Sequence, residues 1–241
     1  MKERKMVKKL VGSDKKHHFI HIPKNGGVSF RKNLGGSYGL IIETKEGHLK
    51  NSIYTKELRQ IMKPEGPGIV HARWRDLNDV AKIRPAIAVV RNPWTRAVSR
   101  WKFIMDQFKI THGQYKKMTN STYQNLSFED WLEERHTYGK LPYYWHRAGR
   151  GWYQQKDYVT DEEGNLKVAC LRLEHLDSDV AEYFQIDKWI KPKNVTNKDK
   201  LDYRSVYTPK TRKIIEEWYA EDIEFFGFDF DGPATKNVIC I

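Results

Sequence analysis

The stretch His18–Phe30, HFIHIPKNGGVSF, constrains this chain more than any other. Phe19, Ile20 and Ile22 suit a buried β-strand, because β-branched and aromatic side chains pack well on a pleated surface. Pro23 offers no N–H to a ladder and ends the strand. Gly26 and Gly27 let the backbone turn tightly with no Cβ in the way. From Val28 to Leu34 the spacing becomes helical, with Phe30 and Leu34 four apart on one face. A helix start behind a glycine turn, with Lys24 in the loop, suits a phosphate-like anion. A plain βα turn with a surface lysine carries the same signature.

The rest of the chain repeats the alternation of strand and helix. Leu40-Ile41-Ile42 reads as a second strand and Ile69-Val70-His71 as a third. Ala86–Val90 is the most apolar run and is expected at the centre of a parallel sheet. Helices are expected over Thr55–Met62, Leu77–Ile83 (with Leu77, Val80 and Ala81 inward), Thr95–Phe108, Ser127–Arg135 and Leu176–Phe184. A long one should follow the Thr208-Pro209 cap and stop at Gly227. Tyr158 to Leu173 reads as a hairpin around Asp161–Asn165. Residues 110–125 are polar and read as an exposed excursion. Together these predict an α/β, three-layer fold: a central parallel sheet with a P-loop-like nucleotide-binding core. The expected division is a basic, frayed N-terminus over 1–16, one domain over 17–232 and a tail over 233–241.

Charge narrows the partners. The 241 residues carry a formal net charge of +12, which points to anions: nucleotides, sulfated or phosphorylated polymers, or nucleic acid. No apolar run approaches a membrane span, and basic Met1–Lys9 is not followed by a signal-type apolar core. The chain as given is therefore expected to be soluble and cytoplasmic. The two cysteines, Cys170 in an apolar strand and Cys240 in the tail, are too few for a disulfide framework or a zinc cluster. His17, His18 and His21 alternate between strand faces, so no metal site is expected.

In an open parallel sheet, ligands sit beyond the carboxyl ends of the strands. Three such ends carry polar groups: Lys24–Ser29, His71-Ala72-Arg73, and Arg91–Ser99. The glycine loop with Lys24 suits a diphosphate-like group. Arg91 and Ser99 flank the start of a helix and suit a second phosphate. Two anion sites imply a nucleotide with phosphates at two positions.

These two motifs carry a resemblance. His21–Phe30, HIPKNGGVSF, resembles the phosphosulfate loop of the sulfotransferases, close to HIPKTGGTSF in their Golgi carbohydrate branch, which includes heparan sulfate 2-O-sulfotransferases and chondroitin sulfotransferases. Val90–Ser99, VRNPWTRAVS, resembles their 3′-phosphate motif. Gln155–Leu176, with Arg172-Leu173-Glu174-His175-Leu176, and Tyr203–Phe228 look like the family's later segments. Asn25 stands where the family usually has threonine, and Val28 replaces a second hydroxyl residue. Backbone N–H groups remain for the phosphosulfate.

The resemblance implies sulfuryl transfer from 3′-phosphoadenosine 5′-phosphosulfate (PAPS) to a hydroxyl or amine, with a glycan as the expected acceptor and no metal. It places Lys24, Asn25, Gly26, Gly27, Val28, Ser29, Arg91 and Ser99 around the donor, with Lys24 as the cation for the leaving phosphate. Tyr203 and Arg204 fall in the family's region that closes over the 3′-phosphate and adenine; a solvated basic loop reads the same way. His71 is the candidate base, since an unperturbed histidine titrates near neutrality. It also falls where the heparan sulfate 2-O-sulfotransferases place a His-x-His pair, with Arg73 in place of the second histidine. Glu46, His48, His112, His136 and His146 are alternatives, and a satisfied strand-end histidine is the competing reading of His71. The cluster Tyr143–Arg147 suits either a sugar site or core packing. Two other classes stay open: a P-loop kinase of unusual sequence, which lacks the Walker hydroxyl, and a non-enzymatic polyanion or nucleic-acid binder.

Overall fold

The computed structural model describes residues 16–50, 68–110, 126–139, 152–186 and 202–239. Four strands, β1 (His17–Ile20), β2 (Ile41–Glu43), β3 (Ala86–Val90) and β4 (Ala169–Arg172), form one sheet in the order β2-β1-β3-β4. Every pairing is parallel, with Phe19 opposite Ile87 and Ile87 opposite Ala169. β3 is buried along its whole length, as its unbroken apolar run requires. The chain leaves β1 for β2 on one side and returns to β3 on the other. The carboxyl ends of β1 and β3 thus flank the point where strand order reverses, which is where an open α/β sheet leaves a crevice.

The described helices are α1 (Gly27–Phe30), α2 (Asp79–Lys82), α3 (Pro93–Ile110), α4 (Phe128–Leu132), α5 (Glu134–Tyr138), α6 (Lys156–Val159), α7 (Leu176–Phe184), α8 (Pro209–Trp218) and α9 (Ala220–Phe226). α1 continues into a wider, π-type turn over Arg31–Tyr38. Strand alternation sorts the core into two faces. Phe19, Ile87, Val89 and Leu171 meet Phe30 and Leu34 after the first loop and Leu176, Val180 and Phe184 of α7. Ile20, Ala88, Val90 and Cys170 meet Trp94 and Val98 of α3, Trp131 of α4, Ile215 of α8 and Phe226 of α9. The result is the expected three-layer α/β fold.

Local chemistry sets the helix ends. Ser127 accepts the Asp130 N–H at 3.1 Å to open α4, and Thr208 caps α8 with Pro209 behind it. Gly227, at φ 63°, ends α9 in the left-handed conformation that glycine adopts without strain.

Several expectations need correction. Ile69-Val70-His71 is not a strand: Gly68–His71 is a 3₁₀ turn. Both edges of β1 and β3 are already paired, so this short run has no central slot to enter. Val80 faces solvent, because α2 is a single turn that buries only Ala81. The expected hairpin is instead the helix α6, a turn held by Asn165 N–H on Asp161 Oδ1 at 2.7 Å, and one antiparallel bridge from Thr160 to Leu166. The long C-terminal helix breaks at Tyr219 into α8 and α9. Near the C-terminus, Ala234 is buried and the Ile239 N–H donates to Cys170 O at 3.0 Å. The Thr55–Met62 helix, residues 111–125 of the expected excursion, the Tyr143–Arg147 cluster, His112, His146 and Cys240 lie outside the described residues. Among the described residues, no helix is long and apolar enough to cross a membrane.

Candidate active site

The loop after β1 turns through two left-handed residues, Lys24 at φ 67° and Gly26 at φ 74°. Gly26 needs glycine twice over: its φ is positive, and a Cβ there would stand 2.7 Å from Leu173 Cδ1. Gly27 needs it for space alone, since a Cβ would lie 2.3 Å from the His21 ring. The first bond of the α1 ladder runs from Phe30 N–H to Gly26 O at 3.1 Å. The N–H groups of Gly27, Val28 and Ser29 therefore precede the ladder, in the place where helix starts receive anions. The Lys24 ammonium lies 4.1 Å from the centre of the Phe103 ring on α3.

Beside this loop, β3 runs out into Arg91. Its Nε donates to Thr95 Oγ1 at 2.9 Å and its Nη1 to Lys24 O at 3.0 Å. Ser99 sits one turn beyond Thr95 on the same face of α3. Burial lowers the Arg91 guanidinium to about 10 while the Glu174 carboxylate opposes the shift; the group stays charged at neutral pH. Asn92 shapes the turn. Its Oδ1 accepts the Trp94 N–H at 3.0 Å, and its Nδ2 donates to Asp229 O and Gly232 O at 2.8 Å each.

The loop and the β3 end are joined by residues that the sequence did not single out. Gln155 is fully buried, and its Oε1 accepts from Asn25 Nδ2 at 2.6 Å and from the Arg91 N–H at 2.9 Å. Its Nε2 donates to Arg91 O at 2.8 Å. Arg96, also buried, donates to Pro23 O at 3.3 Å and Tyr153 O at 3.1 Å. Asn25 gives its side-chain amide to Val89 O and Gln155, so its side chain faces the interior. Arg96 lies within the Val90–Ser99 motif and Gln155 opens the Gln155–Leu176 segment, but no local pattern marks either as the residue that joins the two sides.

His71 reaches the site from its 3₁₀ turn, not from a strand end. Its ring lies 4.5 Å from the His21 ring, centre to centre, and its Nδ1 is 2.9 Å from His21 O. A carbonyl only accepts, so Nδ1 carries the proton and Nε2 is the basic nitrogen of the neutral ring. Burial, with Arg100 and Arg31 nearby, lowers His71 to about 4 against the pull of that hydrogen bond. Burial first, then His71 and Arg31, lowers His21 well below its usual range. Both rings are neutral at pH 7. A histidine partner for His71 is thus present after all, supplied by the end of β1 and not by position 73. Arg73 is engaged elsewhere, on Asp76 at 2.9 Å and Tyr153 OH at 2.6 Å. Of the alternatives, Glu46 and His48 share a 3₁₀ turn in which His48 meets the His18 ring edge-on, and His136 of α5 pairs with Glu133 at 3.2 Å.

Tyr203 and Arg204 occupy a 3₁₀ turn over Tyr203–Val206. Tyr203 OH donates to Phe230 O at 2.8 Å, and the Arg204 guanidinium lies over the Tyr203 ring at 4.7 Å. Arg204 pairs with Asp231 at 2.6 Å and Asp202 at 3.3 Å. The neighbouring Tyr207 OH donates to Trp94 O at 2.9 Å, tying this turn to the start of α3 behind Arg91. Among the described residues no group of His, Cys, Asp and Glu could hold a metal ion.

The structure thus brings together a loop with two left-handed residues, a charged arginine bonded to it and a neutral histidine beside it. The family model of the sulfotransferase family matches residues 10–229, and the chain belongs to that family. Among solved structures, it is similar to a sulfotransferase from Alicyclobacillus acidocaldarius, at 18% identity and a TM-score of 0.47 over 89% of this chain and 97% of that one. No curated protein matches it.

Proposed function

We propose that this protein transfers the sulfuryl group of PAPS to a hydroxyl or amine of a carbohydrate acceptor. One observation carries the reading: Arg91 Nη1 donates to Lys24 O at 3.0 Å. A donor with a 5′-phosphosulfate and a 3′-phosphate needs two anion sites at a fixed separation, and this bond sets one. The loop N–H groups before the α1 ladder hold the phosphosulfate. Arg91, Thr95 and Ser99 line the side that takes the 3′-phosphate, and Tyr203 and Arg204 close over it. The basic net charge draws an anionic glycan toward the site.

In the reaction, His71 Nε2 takes the proton from the acceptor hydroxyl as its oxygen bonds to sulfur. The bond between sulfur and the 5′-phosphate oxygen breaks, and Lys24 offsets the charge left on that phosphate. Because His71 Nδ1–H is held by His21 O, the ring is fixed in the tautomer that accepts at Nε2.

Two measurements test this. Adenosine 3′,5′-bisphosphate should raise the melting temperature more than ATP with magnesium; saturation at about 100 times Kd adds roughly 2.7 kcal/mol. No shift with well-folded protein would remove the donor assignment. A screen of glycan acceptors with labelled donor should show transfer by the wild type. In His71→Ala the rate should fall by about 10²- to 10⁴-fold with the bisphosphate shift intact, and a fully active variant removes His71 from the base role.

A further inference from the structure

We propose that Gln155 is a positioning residue that sets the separation of the two anion sites, so that a donor carrying both phosphates binds in one register. This rests on the donor assigned above. Gln155 is fully buried, so it acts on the donor only through other residues.

Its side chain closes on both backbone polar groups of Arg91, accepting the N–H at 2.9 Å and donating to the C=O at 2.8 Å. That is the pairing a neighbouring strand would provide, made one residue beyond the end of β3. The backbone groups fix the orientation of the amide. An N–H only donates and a C=O only accepts, so Oε1 must face the Arg91 N–H. Asn25 must then present its NH₂ to Oε1, at 2.6 Å, while the same nitrogen reaches Val89 O at 2.7 Å. One amide thus holds the phosphosulfate loop and the base of the 3′-phosphate arginine together.

Gln155 is itself held from behind. Asp222 of α9 accepts the Gln155 N–H on Oδ2 and the Lys156 N–H on Oδ1, both at 2.8 Å. The Asp222 carboxylate is fully buried and spends both oxygens on this one turn of backbone. The connection therefore runs from α9 through Gln155 to Arg91 and Asn25, with a hydrogen bond at each step. A glutamine that merely filled space would not need an anchored backbone.

Register and packing roles separate by ligand. Adenosine 5′-monophosphate uses the loop alone and adenosine 3′-monophosphate the arginine side alone; adenosine 3′,5′-bisphosphate needs both at the right distance. In Gln155→Ala, titration should show the bisphosphate weakened by about tenfold, as expected for loss of a hydrogen-bonded constraint. Each monophosphate should stay within about threefold of wild type. With PAPS, the loss should appear chiefly in KM. Asn25→Ala cuts the loop from Gln155 while leaving its backbone N–H in place, and should show the same pattern; it decides the matter if Gln155→Ala does not fold. Equal weakening of all three ligands, or none, overturns the inference and leaves the donor reading standing. A wild type that does not prefer the bisphosphate to either monophosphate overturns both.

Discussion

The two sides of the proposed donor site are built in different ways. The junction between the first loop and the end of β3 is made of the buried amides of Asn25 and Gln155, the buried guanidinium of Arg96 and the Arg91 main chain. The Tyr203–Arg204 turn is made of exposed charge, with Arg204 half-exposed and paired to Asp202 and Asp231, each more than half-exposed. Buried hydrogen bonds are hardly screened and are expensive to leave unmade; exposed ion pairs are screened by salt within about 10 Å at 0.1 M. The junction therefore fixes geometry, and the turn adds attraction. Changes in the first should alter whether the site exists, and changes in the second only how well it holds.

The largest effect is expected where the junction has no room. In Gly27→Ala the new Cβ would fall 2.3 Å from the His21 ring, which is itself packed against His71. Neither ring can retreat cheaply from a core, and overpacking of this kind costs about 1–3 kcal/mol. Urea melts should show that loss, and the bisphosphate should no longer raise the melting temperature. An unchanged variant would mean that the loop is pliable, and the contrast with the exposed turn would collapse.

The next effect is in pH, because burial keeps His21 and His71 beside the loop, and His18 near the start of β1, neutral. His71 and His18 are lowered to about 4 from an unfolded value of 6.5, and His21 is lowered too. Between those values the unfolded chain binds more protons than the folded one, so these groups contribute stability that is lost as pH falls from 6.5 through 4. Asp222, raised by burial to about 6, and Glu174, also raised, act in the opposite sense over the acid range. The histidines are more numerous and dominate, so the urea midpoint should decline from pH 6.5 toward 4. The acid limb of the rate should fall near pH 4, well below the range of a free imidazole. An acid limb at 6.5 would show that the base is exposed or is another residue.

The sequence revealed this junction only in part. The loop and the Arg91 motif were legible because strand pattern, glycine turn and helix spacing are local signals, and β3 declared its central place by being apolar throughout. What joins them was not legible. Gln155 lies far from both Asn25 and Arg91 along the chain, and a glutamine between aromatics has no periodic signature. Asn25 was readable as a departure from a hydroxyl, but its inward turn is onto Val89 O and Gln155, partners that no local pattern announces. Ile69–His71 misled because strand propensity says nothing about whether a sheet has a free edge. His71 nonetheless arrives at the site, brought by the bond to His21 O and not by a ladder.

The smallest effect is expected at the exposed turn, and it sharpens the comparison through its dependence on salt. Arg204 stacks on Tyr203 at 4.7 Å and is shared by two carboxylates, so a bound 3′-phosphate has to compete with Asp202 and Asp231 for it. Arg204→Ala should leave the unliganded melt unmoved and weaken the bisphosphate by roughly tenfold or less at low salt. That difference should shrink as ionic strength rises, because the lost interaction is one that salt screens. The bisphosphate affinity lost in Gln155→Ala should persist across the same range of salt, because nothing in that link is exposed. If both losses fade together, the junction is wetter than its hydrogen bonds imply, and attraction, not register, governs donor binding on both sides of the site.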